Sequence, residues 1–271
     1  MSKLTALLSA RYGSAPPPAL DSLNETLASL LDHRSVRAYL PDALPPGTLE
    51  LIIAAAQSAA TSSNLQAWSV VAVEEPARKS RLAVLARDQK HIHEAPLFLV
   101  WLADLSRLRR VANAADTPSD GLDYLESFVL AVIDATLAAQ NAVVAAEALG
   151  LGTVYIGAIR SEPEKVAAEL GLAPGVFPVF GLVVGKPDPG RPADVKPRLP
   201  QAAVLHRETY QISPEADALA AYDEILTAFQ KSQNLPATGW TTQAAQRITT
   251  AALGPRARLA AAVSALGFKL A

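Results

Sequence analysis

The chain has 271 residues and carries 24 Lys+Arg against 26 Asp+Glu, a formal charge of −2. Half of the residues are hydrophobic and 18% are charged, which excludes a disordered chain, and the near-neutral balance argues against a general nucleic-acid binder. There is no cysteine, so disulfides, zinc–thiolate sites, iron–sulfur clusters and a thiol nucleophile are excluded.

Residues 1–20 read as an appendage. Leu4, Leu7 and Leu8 fit a short amphipathic turn, which the prolines at 16–18 break. Leu23, Leu27, Leu30 and Leu31 recur at helical spacing and predict a helix over 22–32, capped by Asp21 or Ser22. A second helix, 47–60, follows Pro45-Pro46. Residues 68–74 are a strand by their β-branched content. Pro76 opens a helix to about residue 87, and 97–102 (LFLVWL) is a buried strand. Residues 121–149 form a long helix, apolar on most faces and therefore central. A strand at 153–156, a helix at 162–170 and a strand within 176–185 follow. The segment 186–200 is extended, and 213–271 is alanine-rich and helical, with breaks at 233–239 and at Gly254-Pro255.

This order predicts an α+β or α/β layout, with long helices covering one mixed, mainly antiparallel sheet. No polar linker divides the first two hundred residues, so the chain is expected as an N-terminal extension (1–20), a core (21–212) and a C-terminal helical extension (213–271) of the same domain. Residues 1–18 lack the continuous apolar core of a signal peptide. The apolar stretch 128–149 is interrupted by Asp134, Gln140, Asn141 and Glu147, as suits a core helix. A soluble, cytoplasmic protein is expected.

Four segments carry polar residues in unusual density. In His33-Arg34-Ser35-Val36-Arg37, extended backbone puts His33, Ser35 and Arg37 on one side, as an anion site needs; a solvated basic turn has the same composition. Residues 61–66 (TSSNLQ) lie between a helix and a strand, as hydrogen-bonding groups for a ligand or as ordinary turn residues. In 152–158 (GTVYIGA), a glycine after a strand lets a backbone N–H approach a ligand, or simply closes a turn. Lys196-Pro197-Arg198 presents two cations on a stiffened segment, or a solvated loop.

Taken in this order, the segments resemble the oxygen-insensitive nitroreductase and flavin reductase family, in its larger, NADPH-preferring branch. The matching text is HRSVR at 33–37, TSSNLQ at 61–66, QKHI at 89–92, AAQNAVVAAEALGLGTVYIGAIR at 138–160, FGLVVGKPD at 180–188 and KPRLP at 196–200. The resemblance is good over about 22–212 and weaker beyond. It implies a nitroreductase-like fold and a homodimer with FMN at two interface sites. His33 and Ser35, with Lys196 and Arg198, would then hold the phosphate and ribityl end, and Arg34 would also belong to the cofactor site. Arg37 would sit near N1 and the C2 carbonyl, where a cation favours the reduced ring. Gln89 would bond the pyrimidine edge, and the Gly157 N–H would face N5, within the stretch Tyr155, Ile156, Gly157 and Ala158. Thr61, Ser62, Ser63 and Gln66 would come from the other subunit.

The implied activity is ping-pong transfer of hydride from NAD(P)H through N5 to a nitroaromatic, a quinone or free flavin. No side chain is an obvious acid–base catalyst. A flavin-binding sensor or storage protein, and a flavoenzyme with a narrow substrate, are the alternatives.

The sequence departs from that branch at 232–240 (SQNLPATGW), where a basic loop is expected to grip the 2′-phosphate of NADPH; the nearest cation is Lys231, so selectivity against NADH should weaken. Arg256 aligns with the family's substrate-side arginine, and Trp240 is the tryptophan best suited to face substrate. Gly150-Leu151-Gly152 precedes a strand, the reverse of a Rossmann fingerprint. His91 and His93 have no third ligand nearby, and no metal is expected. The run 107–110 reads as a solvated face.

Overall fold

The structure, a computed structural model, describes residues 2–13, 23–212 and 215–271. The helices are, in chain order, α1 (Lys3–Tyr12), α2 (Glu25–Asp32), α3 (Thr48–Gln57), α4 (Pro76–Leu85), α5 (Lys90–Glu94) and α6 (Ser106–Ala114). They continue with α7 (Leu125–Ala148), α8 (Pro163–Leu170), α9 (Glu215–Ser232), α10 (Gly239–Arg247), α11 (Thr250–Leu253) and α12 (Leu259–Ala265). Two compact units emerge, one from residues 1–34 with 194–253, the other from 35–193 with 254–271. These seams differ from the divisions expected at residues 20 and 212. Sequence-distant segments pair in the smaller unit; Arg11 and Lys196, 185 positions apart, are hydrogen-bonded.

The larger unit holds β1 (Trp68–Val73), β2 (Leu97–Asp104), β3 (Gly152–Ile156) and β4 (Val176–Gly185), in the order β1-β2-β4-β3 with every ladder antiparallel. A parallel bridge from Ser35 to Thr153 adds to the β3 edge. The fold is thus α+β, as expected. Every residue of β2 is buried, which is what its unbroken apolar run requires of a strand covered on both faces. Its alternation sorts the core. Leu97, Leu99 and Trp101 join Ile52 and Ala56 of α3 and Ala138, Ala142 and Ala146 of α7. Phe98, Val100 and Leu102 face Leu82 of α4, Ile92 of α5 and Val166 of α8.

The small side chains on one side of α7 let that helix lie close to the sheet. This helix is long and apolar enough to cross a membrane by length and composition, yet it buries its alanine face in this core.

Gly152 lets the segment after residue 34 close on β3. A Cβ there would stand 2.7 Å from Val36, whose N–H donates to the Thr153 carbonyl at 2.9 Å.

In the smaller unit α2 begins at Glu25, and Asn24 caps it by accepting from the Leu27 N–H at 2.9 Å. The expected caps, Asp21 and Ser22, lie outside the described residues, as do the prolines at 16–18. Within the appendage, Lys3–Tyr12 form a full helix, α1, rather than a short turn. Residues 107–110 lie on α6, where Arg107 donates to Ser69 Oγ and the Gln66 carbonyl, and Arg109 pairs with Asp123 at 2.7 Å. The sequence reads as a solvated face here because three arginines in four residues make the run polar overall, although the helix is one-sided.

Candidate functional site

The smaller unit gathers cations. The carbonyls of Leu31, His33 and Lys196 all accept from the Arg11 guanidinium. Pro197 is buried between exposed Lys196 and Arg198, and its carbonyl accepts from Tyr222 Oη at 2.9 Å. Arg34 is ion-paired with Asp32. Burial first, then the charges of Arg198 and Arg34, lower the pKa of Arg11, so Arg198 and Arg34 each lie within electrostatic reach of that guanidinium. A doubly charged phosphate would relieve that repulsion.

In the larger unit the 35–38 segment alternates, with Val36 and Ala38 buried and Arg37 exposed, before Tyr39, also buried. Gln89 stands at the N-cap position of the short helix α5, and its amide nitrogen donates to the Ala86 carbonyl. Two residues on, His91 is buried. Desolvation, and next the nearby charge of Arg37, push its pKa below the ordinary histidine value, so the ring is neutral at pH 7. Its Nε2 finds no partner among the described residues. His93 instead pairs with Asp88 at 2.8 Å.

At the end of β3 the chain turns into a 3₁₀ turn, Gly157–Ser161. Tyr155 is exposed, with its ring edge-on to Phe180. The Ile156 side chain lies in the core, so only its backbone can face a ligand. A Cβ on Gly157 would stand 3.3 Å from the guanidinium of Arg160, and Ala158 is half-buried. Burial, then the charge of Arg256, lower the pKa of Arg160. Arg256 Nε is itself buried without a partner among the described residues. A glycine surface beside Arg160, with the charge of Arg256 in reach of that guanidinium, suits an anionic or electron-rich ligand.

The 61–66 loop is held by Asp134 of α7. Thr61 Oγ1 donates to this carboxylate at 2.6 Å, and the N–H groups of Ser62 and Ala67 donate at 3.2 and 3.0 Å. Ser63, Asn64 and Gln66 adopt φ near +50°. Thr61 therefore shapes the loop, while Ser62, Ser63 and Gln66 remain exposed.

Trp240 is half-buried at the start of α10, 6.2 Å from the Tyr222 ring. Asp223 accepts from the N–H groups of Trp240 and Thr241, and Gln230 Oε1 from those of Thr238 and Gly239. Side chains of α9 thus fix the connection into α10.

FMN needs cations for its phosphate, donors for the ring edge and close backbone approach to the ring. Within the smaller unit, the cations around Arg11 suit a phosphate; within the larger unit, taken by itself, the unpartnered nitrogens of His91 and Arg256 and the Gly157 surface suit a ring and its polar edge. Four of the residues involved escaped the sequence reading. Arg11 lies in the N-terminal appendage, and His91 stands out in the sequence only beside His93, as a metal ligand lacking a third partner. Arg160 stood unremarked in the 138–160 match. Asp134 was noted only as a polar break, although a lone carboxylate in an apolar helix is itself a signal.

The nitroreductase family model matches residues 30–186, and the nitroreductase family C-terminal domain model matches 196–271. The chain is 37% identical to an FMN reductase (NADPH) of Bacillus subtilis over 214 residues, 78% of this chain and 85% of that one. It is 39% identical to the oxygen-insensitive NADPH nitroreductase of Salmonella typhimurium over 207 residues, 76% of this chain and 83% of that one. Among solved structures, B. megaterium NfrA2 superposes with a TM-score of 0.86 at 38% identity, covering 92% of this chain and 100% of that one. The Vibrio harveyi NADPH:FMN oxidoreductase complexed with NAD+ gives 0.79 at 29% identity, covering 91% and 99%. This chain belongs to the nitroreductase family.

Proposed function

We propose that this protein is an FMN-dependent oxidoreductase that takes electrons from NAD(P)H and reduces nitroaromatics, quinones or free flavins. One observation carries the reading: the family match runs through every segment assigned to the flavin, from residue 33 to 37, 61 to 66, 89, 155 to 158, and 196 to 198. Bound FMN supplies two-electron hydride chemistry that no side chain here offers. His33, Arg34, Lys196 and Arg198 are assigned to the phosphate. Ser35, Arg37, Gln89 and the backbone from Tyr155 to Ala158 are assigned to the ribityl chain and ring. Arg37 supplies positive charge for a ring that becomes electron-rich on reduction. Arg256 and Trp240 are assigned to the visiting nucleotide or acceptor, which bind in turn.

The chain acts as a homodimer. Leu125, Val129, Ile133 and Leu137 form an exposed apolar stripe along α7, a face that a second copy would cover. The 61–66 loop, tied to the same helix by Asp134, is then offered to the partner's flavin. The reaction takes place in the cytoplasm, where NAD(P)H is supplied.

Nucleotide choice follows from the α9–α10 connection. Its acceptors are acidic or neutral: Gln233 donates to Asp194 at 2.6 Å, and Asp223 caps α10. A 2′-phosphate finds only Lys231 nearby in sequence. Steady-state kinetics on the holoenzyme should give a kcat/KM for NADPH within about tenfold of that for NADH, against the larger ratio a dedicated arginine supplies. Varying donor and acceptor together should give parallel double-reciprocal lines. A preference of several hundredfold for NADPH would refute the loop assignment, and intersecting lines would refute alternate binding.

A further inference from the structure

The N-terminal helix α1 lies upstream of residue 30, where the family match begins. Its last turn carries Arg11, which is 7% exposed although it bears a full charge. Burying a guanidinium is costly unless its donors are satisfied. Here they are satisfied in a particular way. Nη1 donates to the Lys196 carbonyl at 2.9 Å, and Nη2 donates to the carbonyls of Leu31 at 2.8 Å and His33 at 2.9 Å. The backbone joins in, because the Arg198 N–H donates to the Arg11 carbonyl at 2.8 Å. One residue therefore ties the 31–33 segment to the 196–198 segment. Its charge also stands within reach of Arg34 and Arg198.

We propose that Arg11 is a positioning residue for flavin phosphate binding, a clamp that fixes the backbones bearing His33, Lys196 and Arg198 before the ligand arrives. The proposal rests on the assignment of those residues to the phosphate. Arg11 contributes geometry more than charge, because its own donors are occupied by carbonyls. A planar fork can hold carbonyls on two segments at once; a lysine ammonium, a point charge on a flexible stem, cannot reproduce that cross-tie. The clamp lowers the ordering cost of phosphate capture, and so acts on affinity for the phosphorylated flavin alone.

The test uses full-length apoprotein titrated with FMN and, separately, with riboflavin, which has the same ring and no phosphate. The readout is the ratio of the two dissociation constants, with apoprotein Tm recorded alongside. Arg11→Met should weaken FMN at least ~10-fold and leave riboflavin within about twofold, and Arg11→Lys should behave like Arg11→Met rather than like wild type. If Arg11→Met does not fold, Arg11→Lys supplies the same ratio.

Equal weakening of both flavins would make Arg11 a general structural residue and overturn the proposal. So would a wild-type ratio in Arg11→Lys, which would mean that charge alone matters, or a wild-type ratio in both variants. Arg198→Ala separates the two levels. If it lowers the FMN preference while the Arg11 variants do not, only the clamp is wrong. If it leaves the preference intact, the phosphate assignment itself fails.

Discussion

Asp134 shows how one buried charge can shape a loop. It is 1% exposed and accepts from Thr61 Oγ1 and from the Ser62 and Ala67 N–H groups. Left-handed backbone at Ser63, Asn64 and Gln66 costs of order 1 kcal/mol or more each, and a hydrogen bond to a charged group returns about 1.5–3 kcal/mol. Three such bonds offset the strain. Asp134→Asn keeps the shape, but turns a donor toward groups that themselves donate. It should cost roughly 1–3 kcal/mol and lower the apoprotein Tm by about 3–10 °C. An unchanged Tm in a thermal melt would show that the loop holds itself. At this scale the sequence showed the loop and its polar residues. It did not show that Thr61 serves Asp134 rather than a ligand, because that pairing spans 73 positions.

Among the elements, α7 is the one whose reading changes most. Its apolar character on most faces led to the expectation of a central helix, and its alanine face does lie against the sheet. The opposite stripe, Leu125, Val129, Ile133 and Leu137, recurs every fourth residue and is exposed. Periodicity cannot tell a face buried in its own fold from one buried under a partner. Ile133 is about half-exposed, so Ile133→Asp puts a charge where a monomer tolerates it and a dimer does not. Light scattering should show a wild-type dimer and a largely monomeric variant. A monomeric wild type, or a variant that stays dimeric, would contradict the assignment. The strands were legible to within a few residues, because β-branched runs bounded by Pro and Gly have few alternative readings. The short helix α5 and the arginine-rich α6 were not, since α5 spans little more than one turn and the arginines of α6 make the run read as a solvated face.

For the whole molecule, composition and periodicity stop at a cysteine-free chain of α+β or α/β layout with two candidate anion segments. The spaced motifs add the flavin, and the family match bears out that resemblance at the level of the family. Which carbonyls clamp which segments, and how the chain partitions into units from residues hundreds of positions apart, depend on tertiary contacts that no local pattern records. The central claim is that this fold carries FMN and accepts electrons from a nicotinamide nucleotide. Its most direct test is the anaerobic visible spectrum of the purified protein, taken before and after adding NADPH and then NADH. The account predicts a flavin spectrum that bleaches within the mixing time with either nucleotide. A flavin spectrum that persists with both would mean a flavin-binding protein without turnover, and no flavin spectrum even after incubation with FMN would contradict the assignments at 33–37, 89, 155–158 and 196–198.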